Sequence, residues 1–387
     1  MFNQTDEELK SLGAYNTVRE IQSQPRLWEE TFQLYKKNRN KINSFIKDIV
    51  DVNNKKLRVI FTGAGTSAYV GDTLLQHLRK FNNEKISFES IATTDLVSCP
   101  YNYFYENDKV LLVSFARSGN SPESLQAVKL ANQIIKDIYH MPITCAKTGK
   151  LAVGLSDKNN SLVLTTPEES NDKGFAMTSS FTCMMLYSLL IFDRIDETKK
   201  EDMKNTIIKM ANKMIHDESY VEDIVEKNDF NRVVYLGSGV LGALTREAQL
   251  KLLELTAGEI TTLYETSMGF RHGPKSFINN KTLVVSFVSS NPYTKKYDLD
   301  IVSEMRADQI ASHIELVSQK NLGIENNYSF EIESTIADEY AVFPFIIFAH
   351  ILSVKTSLKV NNTPDTPSKS GTVNRVVKGV VIHEYEA

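Results

Sequence analysis

Arg117, Ser118, Asn120 and Ser121 stand together between the apolar run Val110–Ser114 and Pro122. A buried strand running into such a turn, with Ser at the cap and Pro at the first helical position, predicts a helix that starts here. Its unpaired N–H groups and the positive end of its dipole would face the turn, and the four side chains add donors. That combination suits a phosphoryl group. The same residue types also make plain strand-to-helix turns, so this segment alone leaves both readings open.

A second set of residues has the types used in acid–base chemistry. Arg246–Leu255 has helical periodicity, and Glu247, Lys251, Glu254 and Gly258 recur every three or four residues, so they share one side. Read alone, this is a solvated charge ladder. Further on, Gly273 and Pro274 form a turn that presents His272 on a loop rather than in a core. Of the other histidines, His350 lies in an apolar run and reads as core. No His/Asp/Glu grouping has metal-ligand spacing, so no catalytic metal and no cofactor are expected.

Two glycine turns raise a rival. Gly63-Ala-Gly65-Thr-Ser-Ala68 fits G-x-G-x-x-A, and Gly237-Ser-Gly239-Val-Leu-Gly242 fits G-x-G-x-x-G. Glu89 follows the first at the distance a dinucleotide-binding fold uses for its ribose carboxylate. A nicotinamide or flavin enzyme would explain these turns, but it gives no task to the Ser/Arg turn or to Glu254 and His272.

The elements that must position these groups form a repeat. Arg58-Val-Ile-Phe-Thr-Gly-Ala-Gly65 returns as Arg232-Val-Val-Tyr-Leu-Gly-Ser-Gly239, and Lys109-Val-Leu-Leu-Val-Ser-Phe115 returns as Lys281-Thr-Leu-Val-Val-Ser-Phe287 at nearly the same separation. This predicts a duplicated unit in which strands alternate with helices, hence an α/β fold with mostly parallel sheets covered on both faces. The expected divisions are a helical segment over 1–50, a first half over 51–200 and a second over 201–387. Within 1–50, Thr17 and Glu20 have capping-box spacing, followed by Pro25 and an amphipathic stretch over Leu27–Val50. Leu57–Thr62 reads as a strand, Ser67–Phe81 as a helix, Asp193–Asn228 as a connecting helix, Asn361–Gly371 as a loop and Val373–Ile382 as a last strand.

Composition narrows the class. The net charge of −4 points to no nucleic-acid partner, and the three cysteines, Cys99, Cys145 and Cys183, are too few and too scattered for a disulfide framework or a zinc site. Reduced thiols and the polar, acidic start MFNQTDEELK predict a cytoplasmic protein. The apolar runs Cys183–Phe192 and Ala341–Val354 fall short of the roughly 18 residues of a membrane span and read as buried helices, so no membrane partner is expected.

Taken together, Gly63-x-Gly-Thr-Ser67, the turn Ala116–Ser121, Ala176-Met-Thr-Ser-Ser-Phe-Thr182, Lys251-x-x-Glu254 and His272-Gly-Pro resemble the sugar isomerase (SIS) domain family, whose best understood member is the isomerase half of glucosamine-6-phosphate synthase. Ala92–Ser98, Ser114–Ser124, Gly269–Ser276 and Ser370–Arg375 are similar to its amino-sugar-phosphate deaminase/isomerase branch, over nearly the whole chain. The resemblance implies two tandem SIS-type, doubly wound, flavodoxin-like three-layer domains with an N-terminal helical extension. It implies that Gly65, Ser67, Ser118 and Ser121, with Arg117 and Asn120, bind the phosphate of a phosphorylated amino sugar or ketose. Thr178 and Ser179 would close the pocket, Glu254 would be the acid/base at C1 and C2, and His272 would assist ring opening. Lys378 stands where the synthase has a C-terminal lysine, with Asn374 and Arg375 as competitors. A homodimer or homotetramer is implied, since the synthase histidine comes from a neighbouring subunit. The chain has Arg117 where the synthase has glutamine, and it has no glutaminase half. Simple aldose–ketose isomerisation and non-catalytic phosphosugar binding are the competing functions.

Overall fold

The computed structural model describes residues 1–377 and 379–386. Backbone contacts divide the chain into two compact units: one comprises 26–172, 179–196 and 373 onward, the other 1–25, 173–178 and 197–372.

In the first unit, Leu57–Thr62 (β1), Ile86–Ser90 (β2), Lys109–Ala116 (β3), Asp137–His140 (β4), Ile143–Thr144 (β5) and Leu164–Thr165 (β6) form a parallel sheet. Its order is β2-β1-β3-β5-β6, with β4 against the beginning of β3. Every residue of β3 is buried, as its apolar stretch 110–113 requires when a sheet is covered on both faces. Phe61 packs against Phe88 and Phe115 at centroid distances of 6.0 and 5.9 Å and meets the edge of Phe192 at 5.4 Å, seating the helix Ser179–Phe192 on the sheet.

In the second unit, Arg232–Gly237 (β7), Thr261–Thr266 (β8), Thr282–Phe287 (β9), His313–Ser318 (β10) and Asn327–Ser329 (β11) make a second parallel sheet in the order β8-β7-β9-β10-β11. This is the same winding, and the repeated phrases fall on β1 with β7 and on β3 with β9. The backbone of the turns repeats too: Gly65 and Gly239 have φ of +56° and +57°. A Cβ on Gly63 would lie 2.5 Å from the Ser67 backbone, and one on Gly237 would lie 2.9 Å from that of Leu241, so close helix–strand packing demands glycine at both. The expected tandem α/β architecture with a helical N-terminal segment holds.

Several local expectations are corrected. The capping box belongs to Thr5 and Glu8, which start the helix Asp6–Ser11. Thr17 instead lies inside the helix Tyr15–Asp51, which runs through Pro25; the N–H groups of Asn16 and Thr17 donate to Asp365 at 2.9 and 2.8 Å, a cap supplied from far along the chain. The connecting helix is two, Glu197–His216 and Glu218–Lys227. Among the described residues of 373–382 there is no strand. The apolar run at 341–354 belongs to a longer helix, Asp338–Lys359, which has the length and hydropathy of a membrane span; its most apolar stretch is 89% buried, which makes it the core helix of its unit.

Candidate functional site

The turns after β1 and β3 come together because these strands are neighbours, with Thr62 beside Ser114 at their carboxyl ends. In a doubly wound sheet the chain leaves in opposite directions from two such strands, which opens a crevice between the turns. Gly65 caps the helix Thr66–Leu78, and Ser67 is buried in its first turn. After β3, Ser121 caps the helix Pro122–Ile134, its Oγ accepting from the Ser124 N–H at 3.3 Å, with Pro122 at the first helical position as expected. Ser118 Oγ accepts from the Asn120 N–H at 3.3 Å, and the Asn120 side-chain oxygen accepts from the Lys150 N–H at 3.0 Å. Asn120 thus braces the next helix, Lys150–Leu155.

The same unit carries a connection that sequence reading missed. Arg117, 8% exposed, donates through Nη2 to the Arg375 carbonyl at 2.5 Å. Arg375 in turn donates through Nε to the Asp172 carbonyl at 2.9 Å, and through Nη2 to that carbonyl and to the Asn171 side-chain oxygen. The Asp172 carboxylate, fully buried, accepts from the N–H groups of Ser179 and Ser180 at 3.0 and 2.9 Å, so it caps the helix Ser179–Phe192. Asp172 precedes that helix by too many residues to read as a cap. Asn374 is half-buried beside Arg375; Lys378 lies outside the described residues. Nearby, a cleft of about 630 Å³ lined by Lys37, Cys145, Thr166 and Asn171 contains none of the predicted site residues.

Thr178, Glu254 and His272 belong to the second unit. The charge ladder is not solvated. Glu247 and Lys251 are fully buried, and Lys251 Nζ lies 3.4 Å from Glu247 and 2.5 Å from Glu254, whose side chain keeps 25% of its exposure. The helix Gly239–Leu255 packs this side against the helix Asp338–Lys359, which turns a nominally exposed pattern inward. His350, the expected core histidine, is there; Gln24 bonds its Nδ1 at 3.2 Å, and burial plus the Lys251 charge push its pKa down to about 3. His272 is exposed at a turn where Gly273 has φ +118°. Its flanks are pinned: Arg271 pairs with Glu304 at 2.7 Å, and Lys275 pairs with Glu304 and with Asp308.

Beside the glycine turn after β7 stands a buried carboxylate, Asp298. Ser238 and Ser267 hydroxyls donate to Asp298 at 2.5 and 2.6 Å, and the Ser289 N–H donates to it at 3.0 Å. Asp298 is fully buried, and burial raises its pKa while these hydrogen bonds oppose the rise. A carboxylate at this edge repels a phosphoryl group. The dinucleotide rival also weakens, because Glu89 is held by Arg58 through two 2.7 Å hydrogen bonds and does not face a ribose. Among the described residues, no three His, Cys, Asp or Glu side chains are grouped to hold a metal.

Comparison with known proteins places the chain in a family along most of its length. The SIS domain model matches residues 52–192. The chain is 40% identical over 96% of its length, and 96% of the relative's, to the D-galactosamine-6-phosphate deaminase AgaS of Escherichia coli. It is 38% identical over 98% of its length, and 94% of the relative's, to the AgaS protein of Shewanella sp.. The crystal structure of tagatose-6-phosphate ketose/aldose isomerase from Escherichia coli superposes with a TM-score of 0.86 at 38% identity, covering 96% of this chain and 97% of that one.

Proposed function

Since the chain belongs to the AgaS family of SIS-domain proteins, we propose that it is an amino-sugar-phosphate deaminase/isomerase that converts galactosamine 6-phosphate to tagatose 6-phosphate and ammonia. The observation that carries this reading is Glu254, a partly exposed carboxylate held at 2.5 Å by an ammonium that is itself buried. A carboxylate so anchored offers a proton acceptor with little freedom to turn away.

In this reading Ser67, Ser118 and Ser121, with the donors at Gly65, Arg117 and the helix N-terminus after Ser121, bind the 6-phosphate. Thr178 and Ser179 close the pocket, and Asn374 adds a contact from the tail. His272, exposed on its pinned turn, moves a proton between the ring oxygen and the C1 hydroxyl, which opens the ring. Glu254 takes the C2 proton of the open-chain 2-amino aldehyde and returns it at C1. The resulting 2-imine takes up water and releases ammonia, which leaves the ketose. Binding at the remote phosphate supplies orientation for this transfer. We take the SIS-type halves to be 51–200 and 201–387, the protein to be a homodimer or homotetramer, and its location to be the cytoplasm, where the three unbridged cysteines stay reduced.

Ammonia release assayed with galactosamine 6-phosphate and glucosamine 6-phosphate tests the reading. Faster release from the galacto compound is expected, and conversion of tagatose 6-phosphate to an aldose without any ammonia release from either amine would favour simple isomerisation. Glu254→Gln should abolish turnover while phosphosugar binding persists; normal ammonia release from that variant refutes the assigned base.

A further inference from the structure

We propose that Arg375 is a positioning residue: it straps the C-terminal segment onto the phosphate-binding turn and so holds Arg117 in place. The proposal rests on the phosphate-site reading above. Three observations within one unit carry it. The guanidinium of Arg375 is taken up by the Asp172 carbonyl and the Asn171 side-chain oxygen, so it is committed to protein rather than turned to an anion. The Asp172 it grips is anchored, its buried carboxylate capping the helix Ser179–Phe192. The Arg375 backbone, held this way, presents its carbonyl to Arg117 Nη2 at 2.5 Å.

The logic follows from the surroundings. Residues 373–377 make no strand or helix, and Val373, Val376 and Val377 are exposed, so neither a ladder nor apolar burial fixes this segment. The planar fork of Arg375 adds hydrogen bonds that hold it to Asp172 and Asn171, a task that Arg performs and a Lys point charge does not. The Arg375 carbonyl accepts one Arg117 N–H and brings no negative charge of its own to the turn. Restraining the free protein in its binding geometry saves ordering cost at the moment of binding.

The experiment compares the full-length wild type with Arg375→Ala and Arg375→Lys. Because Arg375→Ala keeps the carbonyl that Arg117 uses, any effect on the turn must pass through release of the tail. Hydrogen exchange followed by mass spectrometry should show the tail and the turn 114–124 both exchanging about 10-fold or more faster in Arg375→Ala, with the thermal midpoint unchanged. Inorganic phosphate should bind about 10-fold more weakly, and KM for the amino-sugar phosphate should rise similarly while kcat changes less than about 3-fold. Arg375→Lys should resemble Arg375→Ala, and low guanidinium concentrations should partly restore phosphate binding to Arg375→Ala. Unchanged exchange at 114–124, or an unchanged phosphate affinity, overturns the strap. A fall of kcat with KM intact would instead make Arg375 a catalytic group and also overturns it. If the wild type binds no phosphate at all, the phosphate-site reading fails, while the exchange comparison still decides whether the tail controls the turn.

Discussion

Lys251→Met should unfold the protein far more readily than its place in an i,i+4 charge ladder suggests. An exposed pair of this kind contributes about 0.3–0.5 kcal/mol. Here the ammonium and its partner Glu247 are both fully buried, with Nζ at 3.4 Å from one carboxylate and 2.5 Å from the other. Removing the cation takes from the buried Glu247 a charge that offsets its desolvation, a change that costs about 3–5 kcal/mol. At about 2–4 °C per kcal/mol for a domain of this size, the thermal midpoint should fall by roughly 6–20 °C. Methionine matches the lysine stem in length, so cavity formation adds little. Calorimetry on Lys251→Met, Glu247→Gln and the double variant isolates the pairwise part, and the double variant should recover much of the loss. If Lys251→Met melts within about 2 °C of the wild type, or if the double variant is as unstable as the sum of the singles, the buried charges are not compensating one another and the argument fails.

Two buried histidines should make stability fall in mild acid. Burial lowers the pKa of His350 to about 3, helped by Lys251, and that of His140 to about 4. Both values lie below the unfolded reference of about 6.5, so the unfolded chain takes up protons first: each site's contribution is intact above about pH 6.5 and is lost by about 1.4 kcal/mol per unit down to its folded pKa. Urea unfolding between pH 7 and 4.5 reads this slope, and His140→Asn should reduce it by about half; an unchanged slope refutes the assignment. Thiol labelling gives a further check. Burial pushes Cys145 up to about 11 and Cys183 well above its usual range, whereas Cys99 is partly exposed, so native protein at pH 8 should label at Cys99 alone, as peptide mapping would show.

Much of the fold was legible because its determinants are local. Apolar runs such as Leu57–Thr62 must be strands buried on both faces, the glycines at 63 and 237 permit close backbone approach, and Ser121-Pro122 starts a helix by satisfying its own first N–H groups. The duplication was legible for the same reason, since equal strands end in equal turns. The candidate chemistry was legible as residue types: hydroxyls, an arginine, a carboxylate and a loop histidine.

Tertiary structure decided what those residues do. Spacing showed that Glu247, Lys251 and Glu254 share a side, but whether that side meets water or the helix Asp338–Lys359 depends on packing between segments far apart in the chain. Asp365 caps a helix that begins at Tyr15, and Asp172 caps one that begins at Ser179, because a carboxylate satisfies any N–H groups that folding brings to it, whatever the sequence distance. Thr17 and Glu20 have the right spacing for a cap yet lie within a helix, since capping needs a chain end as well as the residues. The turn after β7 copies the one after β1 in backbone but not in surroundings, because Asp298, supplied by a later helix, takes up the Ser238 hydroxyl. Local sequence determines which groups are present and which elements carry them; long-range contacts determine which of those groups are already satisfied, and only the others remain for a ligand.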